Sequence, residues 1–498
     1  MDVDVVIAGA GPNGLMLACE LSLAGVRSVV LERRTEQTRE HRANGLVGQV
    51  VRLLDRRGLH ERLSGSPSPP IPAPRFVFGA LPLELAGLAD NPLTILPVPQ
   101  HRIEAVLAER AAELGVEIRR GHEVTGCTQD EHGVTVDVGG AYRIRAGYLV
   151  GADGGHSTVR KLAGIGFPGV TRDDTVSRTA HATVPPELVD PVTGALTVPG
   201  YGPIPPLMHH RTERGLFVYA PLPTGTTIST TEFGGAAGEE PLTLDELRAS
   251  ARRVLGVDVP LGPPVGDGPH LLRKLTGGNT RIADRFRDGR VLLVGDAAHV
   301  HSAIGGPGLN LGLQDAVNLG WKLAAEVRGH APAGLLDTYE SERRPASERV
   351  VMHTQAQSAL IAPGSEVTAL RTLFTELLRD KANVAHIANM MAGADIHYEV
   401  GDTHPLAGRW APDVVLDGGV RLAELMRTAR PLLLDLTADG VLGKEIEGWH
   451  DRVDTVTGAD GPAAAMLVRP DGYVAWASAD PDPDALRAAL TRWFGAAA

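Results

Sequence analysis

The chain begins with a short, almost continuously apolar run, Val3–Ala8, followed by three glycines within six residues and a second apolar stretch at residues 15–23. A short apolar run without alternation is typical of a strand buried on both faces, and the longer stretch predicts a buried helix. A third apolar run, Ser28–Glu32, ends in an acidic residue. The pattern therefore predicts strand, glycine-rich turn, helix and strand, which is the order of a βαβ unit.

The same pattern predicts the elements of the remaining chain. Apolar residues at helical spacing predict helices at residues 46–57, 100–114, 308–327, 334–360 and 485–493. Apolar or alternating runs predict strands at residues 116–119, 122–129, 134–138, 148–151, 289–294, 431–436, 464–468 and 473–476. Prolines and glycines at residues 65–74 predict a linker, and short alternating runs at residues 176–268 predict a mostly antiparallel sheet.

The glycines after the first strand indicate a dinucleotide site. In Gly9-Ala10-Gly11-Pro12-Asn13-Gly14 the first glycine permits the tight turn, the second lets backbone approach a pyrophosphate, and the third lets the helix pack closely. The helix N-terminus offers unpaired N–H groups to phosphates. Glu32 has the position of a carboxylate that accepts hydrogen bonds from a ribose.

Two later segments also combine glycine with an acid. Asp153 lies in a glycine turn, with Ser157 as a predicted N-cap of the following helix, and Asp296 follows a predicted buried strand. Either carboxylate could instead cap a turn, a common use of aspartate. The three motifs together, in this order, are more specific than any one alone.

Composition and charge exclude several classes of protein. The 498 residues suffice for two to four domains, and the net charge of −12 argues against nucleic acid or an anionic membrane as partner. Two cysteines, Cys19 and Cys127, exclude a disulfide framework and a cysteine-based metal site, and we expect buried thiols. The sequence has neither an apolar stretch of about 18 residues nor a signal peptide, so we expect a cytoplasmic protein.

With its three motifs and the segment at residues 305–323, the chain resembles the single-component, group A FAD-dependent aromatic monooxygenases, which have the p-hydroxybenzoate hydroxylase-like fold. It resembles in particular the actinobacterial hydroxylases of aromatic polyketides and rifampicin monooxygenase. The resemblance implies an α/β fold with a Rossmann-like FAD-binding domain at residues 1–75, 100–175 and 269–400. It further implies a substrate-binding β-sheet domain at residues 76–99 and 176–268, and a thioredoxin-like domain without Cys-x-x-Cys at residues 401–498.

The resemblance also implies which residues contact FAD. They are Gly9, Gly11, Pro12, Asn13, Gly14, Glu32, Arg33, Arg42, Gln100, Asp153, Asp296, Gly306, Pro307, Gly308, Leu309 and Asn310. The loop Gly305, Gly306 and Pro307 would lie beside the reacting atoms of the flavin, and no side chain is an obligatory catalyst because the cofactor carries the chemistry. Candidates for substrate contact are His210, Arg214, Tyr219 and Thr231.

The implied reaction is NAD(P)H- and O₂-dependent hydroxylation of a polycyclic phenolic substrate through a flavin C4a-hydroperoxide, with NADPH favoured over NADH. Alternatives on the same scaffold are rifampicin-type inactivation of an antibiotic and Baeyer–Villiger oxidation. A flavin-dependent halogenase would need a Trp-x-Trp-x-Ile-Pro motif, and a flavin disulfide reductase would need a cysteine pair near the first helix; the chain has neither. A non-catalytic flavoprotein is a further alternative. We expect a monomer or homodimer.

Two local features qualify the resemblance. Related enzymes usually have a proline two residues after the histidine that corresponds to His301, whereas this chain has Ala303. We expect Gly305, Gly306 and Pro307 to hold the loop instead. His299 and His301 would share one face of an extended segment, but the sequence shows no carboxylate or third ligand nearby, so we expect no metal site.

Overall fold

The computed structural model describes residues 2–37, 45–222, 225–234, 240–266, 270–437, 440–458, 461–480 and 482–498. The predicted fold class is confirmed: an α/β unit carries a separate antiparallel sheet. None of the helices in these ranges is long and apolar enough to cross a membrane.

An eight-stranded sheet forms the centre of the α/β unit. Its main path runs, in spatial order, through Arg287–Asp288, Val291–Leu293, Tyr142–Gly151, Val3–Ala8, Ser28–Glu32 and Glu117–Arg120, and Gly133–Val138 and Val124–Asp130 extend it from Tyr142–Gly151. The four strands from Val291–Leu293 to Ser28–Glu32 are parallel neighbours. Val5, Val6 and Ile7 are wholly buried, which explains the unbroken apolar run at the start of the chain.

The helices of this unit are Pro12–Leu23, Gln49–Asp55, His60–Ser64, Gln100–Glu113, Thr158–Leu162, Pro307–Val327 and Thr338–Ile361. The prediction of one helix at residues 46–57 is wrong at its start. Leu46–Val47 is a strand paired with Ile95–Leu96, and Gly48 separates it from the helix with a φ of 81°. A Cβ at Gly48 would overlap the backbone of Ala392, so a contact distant in sequence requires glycine here.

A six-stranded antiparallel sheet forms the second layer. Its strands, in spatial order, are His209–Thr212, Gly215–Leu222, Gly225–Phe233, Gly169–His181, Leu272–Ile282 and His299–Val300. One face packs against the helix Leu244–Leu255, which the alternating pattern did not predict, through Phe217, Tyr219 and Leu247. The short hairpin Leu196–Val198 and Gly202–Ile204 adds to the same core.

Two helices between the long helix and residue 400 were also not predicted, Ser365–Leu377 and Lys381–Ala392. They share a core with the hairpin Arg75–Phe78 and Leu81–Glu84, whose side chains Phe78 and Leu83 are buried there. Arg371 donates to the carbonyls of Gly79 and Ala80 at the tip of that hairpin.

The C-terminal unit contains a four-stranded sheet. Its order is Asp454–Thr457, Leu432–Asp435, Ala465–Val468 and Val474–Ser478, and the helices Leu422–Leu425 and Pro483–Phe494 accompany it. The strand Asp454–Thr457 was not predicted. Trp321 and Leu335 of the α/β unit belong to the same buried cluster as Trp449, Trp476 and Trp493, so the two units share a core.

The two thiols differ in burial. Cys19 is buried in Pro12–Leu23, and burial raises its pKa to about 12. Cys127 is only half-buried on Val124–Asp130, and burial raises its pKa as well. Both thiols therefore stay protonated at neutral pH.

Candidate functional site

The three glycine–acid motifs lie at one edge of the eight-stranded sheet. Four adjacent parallel strands, Val291–Leu293, Tyr142–Gly151, Val3–Ala8 and Ser28–Glu32, end at this edge and are followed by Asp296, Asp153, the Gly9–Gly14 turn and the residues after Glu32. Because ligands of open α/β sheets bind outside the carboxyl ends of the strands, this edge is the candidate site.

The motifs are in direct contact. A Cβ added at Gly9 would overlap the carbonyl of Ala152, and a Cβ added at Gly295 would overlap the amide of Asn13. Arg160, after the second motif, donates to the carbonyl of Ala297 in the third at 2.9 Å. Three segments far apart in sequence therefore form one surface.

Gly11 differs from its neighbouring glycines. It has extended backbone, with φ −76° and ψ 177°, and no described atom lies within 4 Å of where its Cβ would be. The backbone therefore does not require glycine here, whereas a ligand that approaches closely would. Pro12 begins the helix, and no described side chain caps that end.

Glu32 holds the turn together. Its Oε2 accepts from the Ala10 N–H at 2.8 Å and its Oε1 from the Arg34 N–H at 2.9 Å. Each carboxylate oxygen has a second lone pair, so Glu32 keeps acceptor capacity for a hydroxyl. Arg33 is exposed beside it, and Arg42 lies outside the described residues.

Asp153 caps a helix. Its Oδ2 accepts from the N–H groups of Thr158 and Val159 at 2.7 and 3.1 Å, while its buried Oδ1 has no hydrogen-bond partner among the described residues. Ser157 accepts from the Arg160 N–H at 3.0 Å, so its prediction as N-cap is confirmed. Asp153 thus caps the helix Thr158–Leu162 with one carboxylate oxygen, and its other oxygen can accept a hydrogen bond from a further group.

The loop after the third motif presents a helix N-terminus. Gly306 has a φ of 69°, Pro307 begins Pro307–Val327, and no described side chain caps this end. The Asn310 side chain accepts from the Val47 N–H at 3.0 Å and donates to the Gly306 carbonyl at 2.7 Å, which fixes the loop. The first turn, including Gly308 and Leu309, therefore offers N–H groups and the positive end of the helix dipole to an anion or polar ring.

Asp296 and Gln100 are two further residues predicted to contact the cofactor. Asp296 is exposed at the end of Val291–Leu293, within a short turn that begins at Gly295 with a φ of 59°. Gln100 begins Gln100–Glu113, and its amide donates to Glu104 at 2.8 Å.

The expectation that no carboxylate lies near His299 is wrong. His299 donates from Nε2 to Asp315 Oδ2 at 2.6 Å, and Arg343 donates from Nε to Asp315 Oδ1 at 2.7 Å. Burial acts to raise the pKa of Asp315, but Arg343 and His299 outweigh it and the pKa is lowered. Among the described residues no group of three or more His, Cys, Asp and Glu side chains could hold a metal ion.

A backbone turn supports the loop that has Ala303 in place of proline. The Gly306 N–H donates to the Ala303 carbonyl at 2.9 Å, and His301 contacts the Ser302 carbonyl through Nδ1 at 2.9 Å. Burial lowers the pKa of His301 to about 4, so this ring is neutral at physiological pH.

The six-stranded sheet joins the site through its last strand. The strand His299–Val300 pairs with Arg281 and Ile282. It links the Asp296 turn to the segment that precedes the helix Pro307–Val327. Cross-strand partners share a face of a sheet. Arg211, Leu216 and Thr231 are such partners in adjacent strands, and Arg211 donates to the carbonyl of Ala362 at 2.8 Å. The Thr231 face is therefore turned towards the chain that follows Thr338–Ile361.

The strand register separates the four candidates for substrate contact. Tyr219 is only 2% exposed and packs in the core beneath Leu244–Leu255, and His210 is on that same face, 2.6 Å from the Tyr201 hydroxyl. Arg214 lies in an exposed turn and lines a surface cleft with Arg252 and Arg253. Only Thr231 is on the opposite face.

The Thr231 face has further hydroxyl groups that the sequence did not single out. Ser177 lies 2.9 Å from Thr231, and Thr179 lies 2.8 Å from Ser229, oxygen to oxygen. All four are half-buried. Alternation within each strand indicates which of its residues share a face. The pairing of these hydroxyls depends on the register between the strands, which the sequence does not show.

Comparison with known proteins identifies the chain. Residues 2–354 match the FAD binding domain family, and residues 404–497 match the family described as aromatic-ring hydroxylase, C-terminal. The chain belongs to the FAD-dependent aromatic-ring monooxygenases. It is therefore a flavoprotein monooxygenase, and the predicted resemblance is confirmed.

Individual relatives match over the full length. The chain is 43% identical to the 12-dehydrotetracycline 5-monooxygenase/anhydrotetracycline 6-monooxygenase of Streptomyces rimosus, with 99% of each chain covered. It is 41% identical to a rifampicin monooxygenase of Streptomyces venezuelae, with 99% of each covered. The solved structure of the anhydrotetracycline hydroxylase OxyS from Streptomyces rimosus has 41% identity and a TM-score of 0.87, with both chains fully covered.

The residues of this monooxygenase fit FAD. Asn13 Oδ1 and Asp153 Oδ1 are buried without a hydrogen-bond partner among the described residues, and both belong to the motifs that meet at the strand ends. Buried polar atoms are nearly always paired in native proteins, so these two indicate a bound polar group. Open space at Gly11 adds room for a phosphate.

Proposed function

We propose that this monooxygenase hydroxylates a polycyclic aromatic, polyketide-type substrate with FAD, O₂ and reduced pyridine nucleotide. The observation that carries the proposal is the junction of the three motifs at one sheet edge, directly beside the strand His299–Val300 of the six-stranded sheet. The names of the S. rimosus relative and of OxyS support the substrate class.

In this proposal the chain holds FAD mainly through backbone. The N–H groups at the start of Pro12–Leu23 bind the pyrophosphate, with Gly11 leaving the necessary room, and Glu32 accepts from the adenosine ribose. Asp153 and Asp296 would accept hydrogen bonds from hydroxyls of the cofactor, and the N–H groups in the first turn of Pro307–Val327 would help to hold it. The residues named here would hold FAD, which would supply the redox chemistry between the reduced nucleotide, O₂ and the substrate.

The substrate would lie against the Thr231 face. The two hydroxyl pairs, Ser177 with Thr231 and Thr179 with Ser229, offer donors and acceptors to phenol and ketone oxygens of a polycyclic ligand. The sheet would also cover the reacting atoms and exclude water, which protects an activated oxygen species from loss.

The proposal extends to the pyridine nucleotide and to the C-terminal unit. A second Gly-x-Gly-x-x-Gly match, at residues 164–169, leads into the strand Gly169–His181 and not into a helix, so it does not form a second dinucleotide-binding βαβ unit. The nucleotide, with NADPH favoured, would therefore bind transiently at the surface. Residues 401–498 would form a thioredoxin-like domain without electron transfer, since the sequence has no cysteine after position 127. A monomer or homodimer and a cytoplasmic location stay predictions of the sequence.

Substrate-stimulated turnover tests the proposal. The purified protein should be yellow and should oxidise NADPH faster when a tetracyclic phenol is added, with a product heavier by one oxygen atom. Slow NADPH oxidation without any product from a panel of polycyclic phenols would contradict it. Rifampicin in the same panel tests the second candidate, which the 41% identity to rifampicin monooxygenase favours.

A further inference from the structure

Asp315 joins both ends of the turn that contains Asp296. It is wholly buried on Pro307–Val327, and its Oδ2 accepts from the Gly295 N–H at 3.3 Å and from His299 Nε2 at 2.6 Å. Gly295 has a φ of 59°, a left-handed conformation that needs support from its surroundings. Asp315 thus supports the conformation of this turn from its buried side.

Arg343 connects Asp315 with a second helix. From Thr338–Ile361 its Nε donates to Asp315 Oδ1 at 2.7 Å, and its Nη2 donates to the Leu311 carbonyl at 3.3 Å. Its Nη1 donates to the Tyr398 hydroxyl at 2.9 Å. The buried guanidinium of Arg343 therefore contacts the helix Pro307–Val327 and the chain that leads into the C-terminal unit, and through Asp315 it is connected to the Asp296 turn.

The C-terminal unit also contacts the helix Thr338–Ile361 at Glu342, the residue before Arg343. Arg469 donates through both Nη atoms to the Glu342 carboxylate at 2.7 Å each. The ring of Tyr473, in the same turn between the strands Ala465–Val468 and Val474–Ser478, lies 4.2 Å from the ring of Tyr398, centroid to centroid. All these side chains are at most 7% exposed, so the contacts operate at low dielectric, where loss of one partner is felt by the others.

We infer that Asp315 is a positioning residue for FAD and that Arg343 and Tyr398 couple its geometry to the C-terminal unit. This inference rests on the flavin site proposed above. The unit would then raise FAD affinity without touching the cofactor, by fixing Gly295 and Asp296 through the Asp315–Arg343–Tyr398 contacts. Supporting groups of this kind commonly decide how well a bound group is held.

A second buried ion pair provides the matched control. Glu20 accepts two hydrogen bonds from Arg57 at 2.6 and 2.8 Å, and Arg57 also donates to the Pro470 carbonyl in the C-terminal unit at 2.6 Å. This pair joins the same two units but has no contact with Asp315 or Arg343 among the described residues. Its loss should weaken docking and leave the Asp296 turn unchanged.

The experiment compares Asp315→Asn, Tyr398→Phe and Glu20→Gln in the full chain after removal of flavin. FAD is titrated by quenching of its fluorescence, the visible spectrum of bound FAD is recorded, and the melting temperature of each apoprotein is measured. We expect Asp315→Asn to raise the FAD Kd about tenfold or more, equivalent to roughly 1.4 kcal/mol, and to alter the spectrum. Tyr398→Phe, which keeps the ring, should raise Kd severalfold with little change in melting temperature.

Glu20→Gln should lower the melting temperature and leave Kd and spectrum unchanged. The inference is overturned if Asp315→Asn binds FAD as the native chain does, or if Kd rises in all three variants in proportion to lost stability. If Asp315→Asn does not fold, an unchanged Kd in Tyr398→Phe overturns it. A native apoprotein without affinity for FAD would instead refute the proposed flavin site.

Discussion

The strand-end loops of the eight-stranded sheet present backbone to the proposed cofactor, whereas the six-stranded sheet presents side chains to the proposed substrate. At the loops, Gly9 and Gly295 are fixed by close contacts and positive φ angles, and Gly11 leaves open space. On the sheet, hydroxyls such as those of Ser177 and Thr231 are paired by register alone. A site built from backbone strictly limits which residue types fit at each position. A surface built from side chains tolerates substitutions, and these can change which ligand it binds.

The largest effect should come from Gly11→Val. Because Gly11 has extended backbone and open space beside it, the variant should fold normally and yet block the pyrophosphate. We expect FAD affinity to fall by more than about 100-fold, roughly 2.8 kcal/mol, in a titration of the apoprotein. Gly278→Val is the control, since Gly278 also has open space and no positive φ but lies on the six-stranded sheet. Equal affinities in the two variants would show that the cofactor does not approach Gly11.

Asp296→Ala should have the next largest effect. Removing a carboxylate that holds a cofactor hydroxyl should weaken FAD binding by about 1–3 kcal/mol. Asp258→Ala, which removes an exposed aspartate near the six-stranded sheet, should leave it unchanged. An unaltered FAD Kd in Asp296→Ala would exclude that contact with the cofactor.

Thr231→Val and Thr230→Val test the sheet. The two residues are adjacent and face opposite sides: Thr231 contacts Ser177, and Thr230 contacts the buried Ser250 at 2.7 Å. Thr231→Val should raise KM for the aromatic substrate by about 2- to 10-fold, the value of one hydrogen bond of roughly 0.5–1.5 kcal/mol, with FAD Kd unchanged. Thr230→Val should lower the melting temperature and leave KM for the aromatic substrate unchanged. The reverse assignment would place the substrate on the other face.

The smallest effect is expected for Ala303→Pro. Proline would fix φ in a loop now held by the Gly306–Ala303 hydrogen bond, a gain in order of about 0.4–1 kcal/mol. Less H₂O₂ should then be released per NADPH consumed with a poorly fitting phenol, because the loop would exclude water better. Ala303→Ser, which leaves φ free, is the control. Equal H₂O₂ release in the native chain and in Ala303→Pro would show that this position is neutral.

Prediction from sequence was most successful where local geometry decides the outcome. The order of the first βαβ unit, the N-cap at Ser157 and, within one residue, the start of the helix Pro307–Val327 were predicted correctly. These features depend on neighbours along the chain. The predicted helix starts late because Leu46–Val47 pairs with Ile95–Leu96, and Asp315 lies beside His299 only through packing. The helix Leu244–Leu255 was hidden within alternating runs. Such features depend on tertiary contacts that no local pattern encodes.

The most direct test of the account is amide hydrogen exchange of the apoprotein with and without FAD. If one cofactor binds where the three motifs meet, FAD should protect the amides of the non-proline residues in the ranges 10–14, 153–159, 295–298 and 306–310 together. Residues 177–179 and 229–231 of the six-stranded sheet should change much less until an aromatic substrate is added. Protection confined to a single motif, or strongest on the six-stranded sheet, would contradict the account.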